Sequence, residues 1–144
     1  MLYISDKLIR AMEQEAQRAY PRECCGVIFG RLDGQAKYAE SLRPSENSFE
    51  EGEQYHRFRI TAEQMLGAEL YARREGLDIV GFYHSHPDCP AVPSEYDRSH
   101  ALPVYSYIIV SCVKGRAEDL TCQQLGKDTD YTRFAKEEII IRGV

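Results

Sequence analysis

One stretch constrains this chain more than any other: Gly81-Phe-Tyr-His84-Ser-His86-Pro-Asp-Cys-Pro-Ala-Val-Pro-Ser94-Glu-Tyr-Asp97. Leu77 to Tyr83 is apolar and reads as a central strand, and Pro87, Pro90 and Pro93 follow as a stiff, extended loop. Ser94 then reads as the start of a short helix. His84 and His86 stand two apart as the strand runs out, so the period of two turns both imidazoles to the same face. Asp97, at the third position of the helix, is placed to swing its carboxylate back toward them. Two neutral imidazoles and one carboxylate suit Zn²⁺, and three protein ligands leave a fourth position open for water, the mark of a catalytic site. Each part alone has a plainer meaning: a His-x-His pair is most often a surface feature, and a lone Ser-x-x-Asp is most often a helix cap. Their combination predicts a metal site. His56 and His100 have no partner at ligand spacing and are assigned to surface or packing roles.

Hydrolysis by such a site needs a proton acceptor. Glu50, Glu51, Glu53, Asp88 and Glu95 read as solvated carboxylates. Glu23 differs, because it sits between the helix-ending Pro21 and the apolar run Cys24-Cys-Gly-Val-Ile-Phe29. It enters the core at the lip of a strand, where partial burial raises a carboxyl pKa toward a useful value.

The rest of the chain predicts one unit over residues 1–144, of mixed α/β (α+β) class, with two main helices packed against a mixed sheet. Helical spacing of Leu8, Ile9, Met12, Ala16 and Ala19 gives a first helix from about 6 to 20. Cys25 to Gly30 reads as a strand, Asp33-Gly34 as a hairpin turn into Gln35–Leu42, and residues 44–55 as a polar, glutamate-rich loop. Thr61-Ala-Glu-Gln64 is a capping box that opens a helix ending at Gly76. Further strands are expected at Ser106–Val113, Leu120–Gln124 and Ile139–Ile141. The net charge of −5, without a basic block, argues against a nucleic-acid partner. No apolar run approaches a membrane span, and no secretory segment follows Met1. Five cysteines, an odd number, are expected as reduced thiols in a cytoplasmic protein. Cys24 and Cys25 read as small buried hydrophobes, Ser85 as a structural residue facing away from the histidines, and Cys89 as the one thiol of the proline loop.

The arrangement Glu23 … His84-Ser-His86-(seven residues)-Ser94-x-x-Asp97 resembles the JAMM motif of the MPN+ metalloproteases. Pro21–Gly30, Asn47, Arg57–Ile60, Gly81–Pro87 and Tyr107–Val110 resemble the compact bacterial branch of that family. The resemblance implies an MPN/JAB fold related to cytidine deaminases, with zinc held by His84, His86 and Asp97. It further implies Glu23 as general acid/base and Ser94 as a stabiliser of the tetrahedral oxyanion. It also implies a partner, a small ubiquitin-like sulfur-carrier protein with a Gly-Gly tail, with hydrolysis of the amide bond after that tail. Tail trimming, release of an attached amino acid and isopeptide cleavage all fit, and the first two are favoured. The alternative is a noncatalytic MPN-type docking module for the same kind of partner. A zinc nucleobase deaminase is rejected: it needs His-x-Glu with Pro-Cys-x-x-Cys, and here His84 is followed by Ser85-His86, while Cys89-Pro90 runs in the wrong order with no second cysteine at the motif's spacing. Oligomeric state is not legible in the sequence.

Overall fold

Local signals fix the start and stop of most elements. The computed structural model, which describes residues 1–45 and 60–143, places them in the order β1 (Leu2–Ser5), α1 (Asp6–Ala19), β2 (Cys25–Asp33), β3 (Ala36–Ser45), α2 (Ala62–Glu75), β4 (Asp78–Pro87), α3 (Glu95–Ser99), β5 (Ser106–Val113), β6 (Arg116–Leu125), β7 (Phe134–Lys136) and β8 (Ile139–Arg142). The Ser5 hydroxyl caps α1 by accepting the Leu8 N–H at 3.2 Å. Thr61 and Gln64 exchange two bonds at 2.8 and 3.1 Å to open α2, and Gly76, at φ 68°, closes it in the left-handed conformation that glycine adopts without penalty.

The strands form one mixed sheet in the order β7-β6-β5-β4-β2-β3-β1-β8. β4 lies at its centre, antiparallel to β2 and parallel to β5. The two long helices cover opposite faces. Ile9, Met12 and Ala16 of α1 pack with Ile28, Val80, Tyr83, Ile108 and Val110, whereas Ala68 and Ala72 of α2 pack with Val27, Phe29 and Phe82. Among the described residues, no helix is long and apolar enough to cross a membrane.

Several expected boundaries move. The first helix stops at Ala19, one residue short of the expected end. The strand expected over Leu77–Tyr83 extends to Pro87, because pairing with both β2 and β5 carries the ladder past Tyr83. Of the polar loop expected over 44–55, Pro44 and Ser45 belong to β3, and the remainder lies outside the described residues, as do Asn47, His56 and Arg57. β1 and β7, four and three residues long, were not expected; β1 is held by pairing with β3 and β8, remote in sequence, and β7 by folding back on β6, the strand that precedes it.

β4 carries a register irregularity that matters for the site. Against β2, Ile28 faces Gly81 but Phe29 faces Ile79, leaving Val80 as an inserted residue. The insertion switches the alternation. Val80 and Tyr83 face α1, and Phe82, His84 and His86 share the opposite face. Gly81 sits at this point because a Cβ there would strike the Ser106 carbonyl of β5. We expect Gly81→Ala to destabilise the protein by roughly 1–3 kcal/mol, the usual cost of overpacking, measurable as a lowered urea midpoint.

Candidate metal centre

The centre is built from the end of β4 and the first turn of α3. His84 and His86 are buried, at 2% and 7% exposure, on one face of the strand. The proline loop returns the chain to Ser94, whose hydroxyl accepts the Asp97 N–H at 3.0 Å, while Asp97 Oδ2 accepts the Ser94 N–H at 2.8 Å. This is a complete capping box, and the same Asp97 Oδ2 lies 3.3 Å from His84 Nε2 and 3.1 Å from His86 Nε2. Thus the cap and the site use one oxygen.

The loop is pinned at three successive carbonyls. Ser111 of β5 donates to the Cys89 carbonyl at 2.6 Å, and Thr121 of β6 donates to the Ala91 carbonyl at 2.6 Å. His86 Nδ1 lies 3.0 Å from the Pro90 carbonyl. A carbonyl only accepts, so Nδ1 carries the proton and Nε2 presents its lone pair to the centre. Sequence offered no signal for Ser111 or Thr121, since a hydroxyl on a strand has many uses.

The two Nε2 atoms are 3.2 Å apart, and each is within 3.3 Å of Asp97 Oδ2. Protons alone cannot reconcile all three distances: with Nε2 of His86 presenting its lone pair, two acceptors face each other at 3.1 Å, and with both Nε2 atoms protonated their N–H groups oppose each other at 3.2 Å. Around a cation the same triangle is natural. Ligands about 2.0–2.1 Å from a tetrahedral zinc lie about 3.3–3.4 Å from one another. The donor set and its spacing therefore fit a zinc ion. Burial opposes charge on His84 and lowers its pKa. Burial also acts on His86 and Asp97, but it is outweighed by their mutual hydrogen bonding: His86 rises and Asp97 is held well below the usual carboxylate range.

Glu23 reaches the centre through β2. The Ser85 N–H donates to the Cys24 carbonyl at 3.0 Å, and the Cys24 N–H donates to Ser85 Oγ at 2.8 Å. Ser85 therefore faces away from the histidines, as expected. Cys25 pairs with His84, so continuing this antiparallel register sets Glu23 opposite His86. Glu23, only 6% exposed, borders a cleft of about 210 Å³ with His86, Cys89, Pro90 and Ser94. Its Oε2 is buried with no hydrogen-bond partner among the described residues. Burial raises its pKa from 4.5 to about 8, with His86 pulling down and Asp97 pushing up.

Of the other candidate carboxylates, Glu50, Glu51 and Glu53 lie outside the described residues, and the two described ones are engaged elsewhere. Asp88 accepts from Tyr20 Oη at 2.6 Å and from the Lys114 N–H at 2.8 Å, and Glu95 is paired with Arg98. Burial pushes the Cys24 and Cys25 thiols up to about 12, which removes them as nucleophiles at neutral pH. His100 is not a donor of the cluster. It stacks on Tyr96 at 4.0 Å and walls the cavity beside His84 and Asp97.

The Glu23 shift has a measurable consequence for the metal-free protein. An unfolded chain loses this proton near pH 4.5, whereas the folded chain keeps it to about 8. Between those limits the folded state binds more protons, so stability falls as pH rises. Urea midpoints at pH 5 and pH 9 in the presence of a chelator should fall further for the wild type than for Glu23→Gln. Equal falls in the two proteins would contradict the shift.

The family profile of the prokaryotic homologs of the JAB domain matches residues 5–125. A desampylase of Haloferax volcanii is 33% identical over 107 residues, covering 74% of each chain. A probable TtuB-protein conjugate cleaving protease of Thermus thermophilus is 30% identical over 114 residues, covering 76% of this chain and 69% of that one. A solution structure of a Desulfitobacterium hafniense protein superposes with TM-score 0.84 at 29% identity, covering 100% of this chain and 94% of the other. With the profile spanning nearly the whole fold from α1 to β6, the chain belongs to the prokaryotic homologs of the JAB domain.

Proposed function

We propose that this chain is a single-domain zinc peptidase, residues 1–144, that cleaves the amide bond after the C-terminal Gly-Gly of a small ubiquitin-like, sulfur-carrier-type protein in the cytoplasm. The observation that carries this is the convergence of His84 Nε2, His86 Nε2 and Asp97 Oδ2 beside a cleft bordered by the buried, unpartnered carboxylate oxygen of Glu23. His84, His86 and Asp97 would hold the ion. When bound, zinc supplies positive charge that acidifies water and polarises a carbonyl. Glu23 Oε2 accepts the water proton and returns it to the departing nitrogen. The Ser94 hydroxyl, whose oxygen accepts the Asp97 N–H, retains its own proton to donate toward the developing oxyanion. The carbonyl-pinned loop keeps Ser94 and Asp97 in place without reorganisation.

The relatives named desampylase and conjugate cleaving protease support a conjugate as the substrate, which favours isopeptide cleavage over tail trimming or amino-acid release. The test is mass spectrometry of a ubiquitin-like protein joined through Gly-Gly to a lysine amine of a second protein. The expected result is two products, the first ending in intact Gly-Gly, with cleavage lost to a chelator and regained with zinc. Binding without cleavage in the zinc-loaded protein would select the docking-module alternative.

A further inference from the structure

The segment that carries Glu23 is tied down at both ends. Residues 20–24 belong to neither α1 nor β2, so no helix or ladder fixes them. At the far end, Cys24 and Ser85 exchange the two bonds described above. At the near end, Tyr20 caps α1, and its ring packs against the core and lies beside Gly115 in the β5–β6 turn. Its Oη donates to Asp88 Oδ2 at 2.6 Å. That distance is typical of a hydroxyl donating to an ionised carboxylate, one of the stronger kinds of hydrogen bond. Tyr20 stands three residues before Glu23, and Asp88 two residues after His86. The two ties therefore bracket the proton acceptor and fasten its segment to the stretch that carries His86.

Asp88 is itself firmly held. Its N–H donates to the Cys112 carbonyl at 2.8 Å, and its Oδ1 accepts the Lys114 N–H at 2.8 Å. With Oδ2 taken by Tyr20, both carboxylate oxygens are engaged. The residue sits at φ 55°, in the left-handed region that residues other than glycine seldom enter. Such backbone persists only where its surroundings over-determine it, and it gathers at functional sites. Glu23 is the opposite case. Its Oε2 has no partner among the described residues, so no hydrogen bond to that oxygen aims the carboxylate. Its placement rests on the backbone beneath it and on packing.

Resting on the function proposed above, we infer that Tyr20 is a positioning residue for Glu23: its bond to Asp88 locks residues 20–24 against the strand end that carries His86, and so fixes where the carboxylate stands relative to the donor cluster. With the Cys24–Ser85 tie alone, the segment could pivot about Cys24, one residue from Glu23. The second tie removes that freedom. A proton acceptor must stand within hydrogen-bond reach of the group it serves, so a pivot that moves the carboxylate by about 1 Å costs rate without touching the metal ligands. Tyr20 contributes no proton and meets no substrate in this role; it acts through Glu23.

Tyr20→Phe keeps the ring and removes the bond. In the zinc-loaded protein it should lower kcat on a ubiquitin-like isopeptide conjugate by about 10- to 100-fold, with KM within about twofold and zinc content unchanged. Added to Glu23→Gln, it should lower the residual single-turnover rate by less than about twofold, because a residue that acts through Glu23 has nothing left to act on. Asp88→Asn, which leaves one acceptor oxygen for two donors, should act in the same direction and add little to Tyr20→Phe. The metal-free protein gives a readout independent of turnover. The Arg22 amide, which donates to the Ala19 carbonyl at 2.9 Å, should exchange its hydrogen about tenfold faster in Tyr20→Phe, while the Ser85 amide keeps its wild-type rate. Full activity in Tyr20→Phe, an equal fall on the Glu23→Gln background, or an acceleration at Ser85 as large as that at Arg22 overturns the positioning role and leaves the peptidase function standing. A zinc-loaded wild type that cleaves no such conjugate overturns the function, and the role with it.

Discussion

Glu23→Gln is expected to keep the fold and the bound zinc and to lose hydrolysis by about 10² to 10⁴ in kcat, the range carried by a positioned proton acceptor. Glutamine matches the side chain in size. In the metal-free protein the match extends to charge, because a carboxyl with a pKa of about 8 is largely neutral at pH 7. The substitution therefore removes little except basicity. Zinc analysis, a thermal melt and cleavage of a ubiquitin-like conjugate, each run on the same preparation, separate the outcomes. Activity within about twofold of the wild type would assign the proton transfer to another group. Asp88 and Glu95 are poor substitutes, since Asp88 is committed to Tyr20 and Lys114 and Glu95 to Arg98.

The second large effect concerns the donor triangle. His84→Ala and Asp97→Asn should each abolish stoichiometric zinc, measured by elemental analysis after dialysis against a weak chelator. Two remaining protein ligands are too few for a stable catalytic site. Asparagine at 97 is the informative change there, because its side-chain oxygen can still accept the Ser94 N–H and preserve the helix cap, whereas alanine would confound cap loss, about 0.5–2 kcal/mol, with ligand loss. Stabilisation by added zinc should vanish with the ligand. At a thousandfold excess over Kd that stabilisation amounts to about 4 kcal/mol in the wild type. Full zinc occupancy in both variants would remove His84 and Asp97 from the ligand set.

Much of the chain was legible because its signals are local. The capping boxes at Thr61 and Ser94, the amphipathic spacing of α1 and the glycine at the end of α2 act within one or two turns of helix, so the residues that specify them are neighbours in sequence. β1 and β7 escaped because, at four and three residues, they have too little pattern of their own. β1 exists because β3 and β8, far along the chain, offer it hydrogen bonds, and β7 because the chain folds back to pair with β6. Ser111 and Thr121, which hold the loop carbonyls, could not be singled out either: a hydroxyl becomes a clamp only when a carbonyl is brought to it.

The candidate site divides along the same line. Sequence alone determined the donor types and their local presentation: two imidazoles at a spacing of two, a loop stiffened by proline, and an aspartate at the third position of a capped helix. Backbone stereochemistry over a few residues dictates each of these. Only the tertiary structure decided which way the histidines face and what meets them there. The inserted Val80 flips the alternation of β4, turning His84 and His86 off the α1 side and onto the face shared with Phe82. The β2–β4 register then brings Glu23, 61 residues from His84, beside His86 and buries its carboxyl. Burial is a property of everything packed around a group, so its pKa and its fitness as a proton acceptor exist only once the sheet has formed.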